Sequence, residues 1–295
     1  MTTQVNQLAV DVRGLRKRYG PVPAVDGIDL AVRHGEVFGV LGPNGAGKST
    51  TVEILQGHRS RDEGEVSVLG ADPATAGRAW RARVGIVWQD ESAPAELTVR
   101  ETVRHFARYY ARPRSPEDVI AMVGLQEKAD SRLKALSGGQ RRRLDVALGI
   151  VGDPGLLLLD EPTTGFDPAA RHRFWDVIRG LADEGTTVVL TTHYLQEAEA
   201  LADRLVVIAR GRVVAEGEPA ALRRRYGEEA TVGWTEPDGR TREFRTKTPT
   251  RTVAELMSRF DGEVPGLRIV RPSLEDVYLR LTGQDGGPAA QEGER

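Results

Sequence analysis

"GPNGAGKST", residues 42–50, matches the phosphate-binding loop pattern G-x-x-x-x-G-K-[ST] at every fixed position. In that pattern the glycines let backbone amides approach phosphate oxygens, the lysine adds a positive charge, and the serine hydroxyl can bind Mg²⁺. A plain glycine turn is the alternative interpretation, and the complete match disfavours it. The predicted nucleotide-binding residues of this loop are Gly42, Pro43, Asn44, Gly45, Ala46, Gly47, Lys48, Ser49 and Thr50.

The segments around this loop alternate between strand and helix patterns. The β-rich run "EVFGVLG" (36–42) leads into the loop, and the helical run "KSTTVEILQG" (48–57) leaves it. Farther along, "GLLLLDEP" (155–162) and "TTVVLTTH" (186–193) are continuous apolar runs, which are typical of parallel strands covered on both faces. A helical pattern at 169–185 lies between them, as a crossover between parallel strands requires. The sequence therefore predicts an α/β fold.

Polar residues stand where these predicted strands end. Asp160 and Glu161 close the run "LLLLDE", where one carboxylate can hold Mg²⁺ and the other can orient an attacking water. Gln89 and His193 also follow strand patterns and could reach the metal, the water or the γ-phosphate. Each has an ordinary alternative, since adjacent acids form solvated turns and a single glutamine or histidine is more often structural. With a phosphate-binding loop nearby, Asp160 is expected close to Ser49.

A second glycine-rich helix start lies at "LSGGQ", residues 136–140, directly before the run "RRRLDVALGIV". A serine ahead of paired glycines predicts a helix N-terminus with free backbone amides, which is a second anion-binding arrangement. Its predicted binding residues are Ser137, Gly138, Gly139 and Gln140.

The composition excludes cysteine-based sites and disfavours, without excluding, a nucleic-acid partner. The chain has 295 residues, no cysteine and a formal net charge of -2, so it holds no disulfide or thiolate metal site and shows no basic footprint for nucleic acid. Its apolar runs are shorter than the roughly 18 residues that a membrane span needs, so a membrane role would require another chain. The first twenty residues lack a signal-peptide pattern, and a cytoplasmic location is expected.

The rest of the chain is organised around this core. Residues 97–140 turn helical and predict a helical subdomain within a nucleotide-binding domain at 5–220. Residues 221–282 predict a small α+β annex, with a hairpin about Asp238-Gly239 followed by a helix and a strand. The Gly/Pro/Glu-rich residues 283–295 predict a disordered tail.

Taken in order, the motifs of this chain are Tyr19, the loop at Lys48, Gln89, "LSGGQ", the pair Asp160-Glu161, Asp167 and His193. In this order and spacing they resemble an ATP-binding cassette, the ATPase subunit of ABC transporters, over about residues 5–220. The resemblance implies an α/β P-loop NTPase fold, with a mixed sheet core and a helical subdomain. It also implies ATP and Mg²⁺ as cofactors.

Individual roles follow from this resemblance. It implies that Ser49, Gln89 and Asp160 hold Mg²⁺, that Glu161, His193 and Gln89 are catalytic, and that Asp167 binds nucleotide. Tyr19 could stack on adenine, although a role as a core-edge aromatic fits it equally well. In the family two copies pack head to tail, so residues 137–140 would bind the γ-phosphate held by the loop of a second copy.

Longer blocks indicate a subfamily. Residues 136–168, 191–205 and 272–283 look like the ATPases of daunorubicin-type antibiotic-resistance exporters, in which the permease is a separate chain. Phe166 stands where that subfamily more often has leucine. This resemblance implies efflux of a drug, antibiotic or lipid-like molecule, from the inner face of the cell membrane and without a nucleic-acid partner. The alternatives are a non-transport cassette that acts on nucleic acid or ribosomes, and a scaffold that binds ATP without turnover.

Overall fold

The computed structural model describes residues 8–87, 96–227 and 229–283. Gln89, predicted to be catalytic and to bind the metal, lies outside these ranges, as does the predicted tail apart from Gly283. By internal contacts the chain divides into two compact units, Met1–Val214 and Ala215–Arg295. The domain bounds given above remain predictions.

The larger unit contains strands and helices in alternation. Its strands are β1 (Leu8–Tyr19), β2 (Val22–Arg33), β3 (Val37–Leu41), β4 (Glu63–Val68), β5 (Val84–Val87), β6 (Leu156–Asp160), β7 (Thr187–Thr192), β8 (Arg204–Ala209) and β9 (Arg212–Gly217), the last of which crosses the division. Its helices are α1 (Lys48–Leu55), α2 (Arg78–Arg81), α3 (Val99–Ala107), α4 (Pro116–Met122), α5 (Gly138–Ile150), α6 (Pro168–Asp183) and α7 (Leu195–Leu201).

Within the described ranges these strands form two sheets, in keeping with the α/β fold and mixed sheet core that the resemblance implied. Strands β2, β1 and β4 pair in that order as an antiparallel sheet. The other sheet has the order β5-β6-β7-β3-β8-β9, and its first five strands pair in parallel. Because parallel strands point the same way, the phosphate-binding loop, the Asp160-Glu161 pair and His193 all follow strand ends at one edge of this sheet.

The parallel sheet is covered on both faces, which explains the continuous apolar runs of its strands. Leu157 and Leu159 of β6 belong to a buried cluster with residues of α5 and α6. Leu156 and Leu158 point the other way and pack with residues of the antiparallel sheet and of α1. Successive side chains of a strand alternate between faces, so a strand buried on both sides has no polar positions.

The helical subdomain is built from α3, α4 and the start of α5, with short 3₁₀ turns at Gln126–Lys128 and Leu133–Ala135. Thr98 and Glu101 form a reciprocal capping box at the start of α3. Ser115 caps α4, whose first residue is Pro116. Such caps satisfy backbone amides that have no intrahelical partner, and they set where these short helices begin.

The smaller unit contains α8 (Pro219–Tyr226), β10 (Ala230–Thr235), β11 (Thr241–Thr246), α9 (Pro249–Arg259), β12 (Arg268–Val270) and α10 (Leu274–Thr282). Strands β10 and β11 form the hairpin predicted about Asp238-Gly239, and β12 pairs with the other edge of β10. Val232, Leu256 and Val264 form the buried centre of a cluster between this sheet and α9. In the part of the chain that the structure describes, no helix is long and apolar enough to cross a membrane.

Candidate nucleotide site

The phosphate-binding loop connects β3 to α1, and its backbone requires glycine. Gly45 and Gly47 have φ angles of 76° and 103°, which favour glycine. A Cβ on Gly47 would lie 2.3 Å from the carbonyl oxygen of Ala24, so no larger residue fits at this position without movement. Helix α1 therefore begins behind a left-handed glycine, and no side chain of the described residues caps it. The amides of its first turn have no intrahelical partners and are available to an anion.

A cavity of about 490 Å³ lies at this helix start. The residues that line it are Tyr19, Ala24, Asn44, Gly45, Gly47, Lys48, Ser49, Thr50 and Glu161. Three further predicted loop residues support the cavity without lining it: Gly42 and Pro43 bind Lys48 through their carbonyls, and Ala46 is buried. The loop prediction thus places six of its nine residues at the cavity wall.

Lys48 is buried at the bottom of the loop. Its ammonium donates to the carbonyl oxygens of Gly42 at 2.8 Å and Pro43 at 3.2 Å. Burial lowers the pKa of Lys48, and the charges of Glu161 and Asp160 act in the opposite direction. A nucleotide phosphate would bring the ammonium a stronger charged partner than these carbonyls.

Ser49 and Asp160 come together as the sequence predicted. The Ser49 hydroxyl and an Asp160 carboxylate oxygen are 3.4 Å apart, and Thr191 of β7 also donates a hydrogen bond to that carboxylate. A hydroxyl and a carboxylate oxygen at this spacing can bind one hard cation, which prefers oxygen ligands. These two residues therefore fit the Mg²⁺ expected at the site.

Glu161 lies between the phosphate-binding loop and His193. One of its carboxylate oxygens is 4.0 Å from Lys48 Nζ, and the other is 3.3 Å from His193 Nδ1. Its backbone is left-handed, with φ of 46°, although it is not a glycine. Such a conformation costs energy and persists only where neighbours hold it, often at functional sites. Here Thr191 accepts from the Glu161 amide through its carbonyl at 3.2 Å and its hydroxyl at 3.0 Å.

Tyr19 lies at the rim of the same cavity. Its hydroxyl is 3.5 Å from that of Thr50, and its ring is 43% exposed. The guanidinium of Arg59 lies 5.2 Å from the ring centroid. The exposure leaves a ring face for an adenine base, so stacking by Tyr19 remains a prediction.

The "LSGGQ" residues lie at a separate place in this chain. Ser137 accepts from the Gln140 amide at 3.3 Å, and Gln140 accepts from the Ser137 amide at 2.9 Å, which forms a capping box at the start of α5. Among the described residues, none of 137–140 lines the Lys48 cavity. Gly138 lines a smaller cavity of about 220 Å³, which Glu161 also lines. Asp167 is also absent from both linings and caps α6 through the Ala170 amide at 2.8 Å.

Three residues of this region were missed from the sequence. Thr191 holds both Asp160 and the Glu161 amide, and Arg142 donates to backbone carbonyls of residues 160–162. Glu197 of α7 is fully buried, and burial raises its pKa although Trp175 donates a hydrogen bond to it at 3.4 Å. Charged residues in an amphipathic helix are usually exposed, so the sequence pattern did not predict that Arg142 and Glu197 are buried.

Comparison with known proteins shows which family this chain resembles. A family model described as ABC transporter matches residues 25–164. The Nod factor export ATP-binding protein I of Ralstonia nicotianae is 42% identical, with 94% of each chain covered. The protein of the same name from Rhizobium sp. strain N33 is 39% identical, covering 95% of this chain and 99% of that one.

Solved structures show the same fold. The structure described as the ATP binding subunit of an ABC transporter superposes with a TM-score of 0.67 at 27% identity, covering 74% of this chain and 93% of that one. A dimeric ATP-binding cassette in a post-hydrolysis state, bound to ADP and Pi, gives a TM-score of 0.64 at 25% identity. That alignment covers 71% of this chain and 98% of the solved one.

Proposed function

This chain belongs to the ATP-binding subunits of ABC transporters and is an ABC-type ATPase, and from that premise we propose that it drives export through a separate permease chain. The resemblance stated from the sequence, the α/β fold class and the ATPase activity are thereby confirmed. The roles of single residues, the partners and the cargo belong to the proposal.

The position of Glu161 carries the proposed chemistry. Its carboxylate stands between the ammonium of Lys48 and the ring of His193, at the wall of the phosphate cavity. A carboxylate there can orient the water that attacks the γ-phosphate, while Lys48 binds the β- and γ-phosphates and His193 binds the γ-phosphate. Mg²⁺ held by Ser49 and Asp160 would neutralise phosphate charge when bound.

The proposed assembly is a head-to-tail dimer around two ATP molecules. Residues 137–140 lie outside the chain's own Lys48 cavity, so they are available to a nucleotide held by a second copy. The amides and dipole of α5 would then gain most from a γ-phosphate, because it carries more charge than the phosphates of ADP. The solved dimeric cassette supports dimerisation as a property of related chains.

In the proposed transporter, the permease chain selects the molecule that is exported. The relatives are named for export of Nod factor, and those names support export as the direction of transport. They lend no support to the antibiotic or drug cargo expected from the sequence blocks. The proposed location is the cytoplasmic face of the membrane, on the permease. A role on nucleic acid or ribosomes has no specific observation in its favour.

The shared site can be tested by mixing two defective chains. One chain carries Lys48→Ala and the other Gly139→Asp, and both carry Glu161→Gln so that bound ATP persists. A Cβ on Gly139 would meet only the Phe166 ring, at 4.0 Å among the described residues, so the aspartate fits within its own chain. The mixed dimer keeps one intact composite site, which joins the loop of the second chain to the "LSGGQ" of the first.

We expect sedimentation analysis to show heterodimers with ATP but not with ADP, while neither variant dimerises alone. The control is the Glu161→Gln chain without a second substitution, which should dimerise with ATP. If the Gly139→Asp chain alone dimerises as well as that control, residues 137–140 do not bind a partner's nucleotide. For transport, co-expression with a permease of about six apolar spans should raise the ATPase rate.

A further inference from the structure

Helix α5 carries three consecutive arginines, and each binds a different segment of the larger unit. Arg141 donates to the Leu133 carbonyl at 3.1 Å, and Arg143 donates to the Gly124 carbonyl at 2.8 Å, beyond the end of α4. Arg142 instead points into the protein and is only 9% exposed. A run of arginines usually lies in solvent, so the burial of the middle one needs an explanation.

The guanidinium of Arg142 binds the turn that carries Glu161. Its Nε donates to the Pro162 carbonyl at 3.1 Å, and one terminal nitrogen donates to the Asp160 carbonyl at 2.8 Å and approaches that of Glu161 at 3.4 Å. One planar group therefore contacts three successive carbonyls of the turn. This use matches the rigid fork of arginine and could not be reproduced by a single ammonium.

Glu161 is the strained residue of this turn. Its φ of 46° is unfavourable for a residue with a Cβ. Thr191 of β7 holds its amide at 3.0 and 3.2 Å, and Arg142 holds the carbonyls on either side. The backbone that aims the Glu161 carboxylate is thus held from two directions, by a strand and by a helix.

The buried charge of Arg142 is compensated by carboxylates and by backbone carbonyls. Burial lowers the pKa of Arg142, while the charges of Asp145 and Asp160 oppose that effect. Arginine remains charged even so, and a buried charge must be compensated. Carbonyl dipoles of residues 160–162 provide much of that compensation, which ties the guanidinium closely to the turn.

We propose that Arg142 is a positioning residue for hydrolysis, which holds the turn of Glu161 in its working conformation and links that turn to the start of α5. Arg142 lies about one helical turn after Gly138, so a phosphate bound at the helix start and the orientation of Glu161 become coupled within one chain. The inference rests on the proposed role of Glu161 as the carboxylate that orients the attacking water.

A double-mutant cycle tests this role in the full-length protein. Arg142→Gln should lower kcat about 10-fold or more, since a small misplacement of a catalytic group has an effect of that order. ATP affinity should stay within about twofold, because the phosphate-binding loop is untouched. In a Glu161→Gln background, the same substitution should lower the residual single-turnover rate less than about twofold, because the group through which it acts is already missing.

Arg143→Gln is the matched control, since it removes the neighbouring guanidinium of the same helix, and its kcat should stay within about twofold of wild type. All rates are divided by the concentration of ATP-binding sites, so that unfolded protein does not contribute. Arg142→Lys keeps the charge with fewer contacts, and its rate should lie between those of wild type and Arg142→Gln. If the Arg142→Gln variant does not fold, Arg142→Lys replaces it in the double-mutant cycle.

Equal losses from Arg142→Gln in both backgrounds, or an unchanged kcat, would overturn the inference. A different result would overturn the proposed role of Glu161 itself: the Glu161→Gln variant would then hydrolyse ATP at the wild-type rate.

Discussion

Helices α1 and α5 both begin beside glycines, yet they prepare their first turns in opposite ways. Helix α1 starts behind left-handed Gly47 with no side-chain cap among the described residues, and it opens onto the larger cavity. Helix α5 starts behind Ser137, which exchanges hydrogen bonds with Gln140 in a capping box. The first start leaves its amides for a ligand, while the second satisfies two amides within the chain.

This difference predicts that the two helix starts bind phosphate in different ways. The loop before α1 is a complete phosphate site in one chain, with a buried cation and a carboxylate already placed around it. Near the start of α5, Arg141 and Arg142 line the smaller cavity together with Glu161, but both guanidiniums already donate to backbone carbonyls. An anion would bind there more favourably if a second copy supplied the cation with it.

Lys48→Ala should produce the largest effect. Without the ammonium, the loop keeps its amides but loses the charged partner of the phosphates, and we expect ATP affinity to fall about 100-fold or more. Titration calorimetry with ATP and Mg²⁺ measures this directly. Lys128→Ala, which removes an exposed lysine from a 3₁₀ turn, is the control and should bind ATP like wild type. Unchanged affinity in the Lys48 variant would mean that the Lys48 ammonium does not bind the phosphates of ATP.

Gly47→Ala and Gly138→Ala compare the two helix starts, at the N-cap of α1 and at the first residue of α5. At Gly47 a Cβ meets the Ala24 carbonyl at 2.3 Å and φ is 103°, so we expect a loss of about 3 kcal/mol in the free energy of unfolding. At Gly138 a Cβ meets no described atom within 4 Å, and stability should change by less than about 0.5 kcal/mol.

Urea unfolding of the two glycine variants gives these values. The proposed dimer adds a second expectation, that Gly138→Ala weakens ATP-dependent dimerisation although the single chain is stable. Equal stability losses at both glycines would show that the two helix starts are packed alike. Normal dimerisation of Gly138→Ala would show that the start of α5 is not close to a partner's phosphate.

Local features of the fold and site could be predicted from the sequence, whereas features that depend on distant contacts could not. The loop at 42–50, the apolar strands and the acids at 160–161 are local patterns, and each formed where predicted because local sequence requires it. The grouping of the strands into two sheets was not predicted, because the pairing of β1 with β4, which are far apart in the chain, leaves no local signal. Arg142 and Glu197 were missed for another reason: burial of a charged side chain depends on what packs over it.

Glu197→Gln should produce the smallest change, because it replaces one carboxyl oxygen by an amide nitrogen and keeps the shape. Glu197 lies close to Thr163, in the turn after Glu161, and to Thr192, at the end of β7. Trp175 also donates to it, and Arg171 is the charged group that acts on it. Burial raises its pKa above the ordinary value of 4.5 despite these partners.

The sign of the pH dependence follows from this shift. Below pH 4.5 the carboxyl is protonated in both the folded and the unfolded chain, so Glu197→Gln should change stability little. As pH rises above 4.5, the unfolded chain releases this proton first, which lowers the free energy of unfolding of the wild type until the folded pKa is passed. Glutamine does not titrate, so the stability of the variant relative to wild type should increase from pH 4.5 upward. Urea unfolding at several pH values measures the difference, with Glu199→Gln as a control on the exposed side of α7. A difference that is flat or falls with pH would mean that Glu197 is ionised in the folded protein.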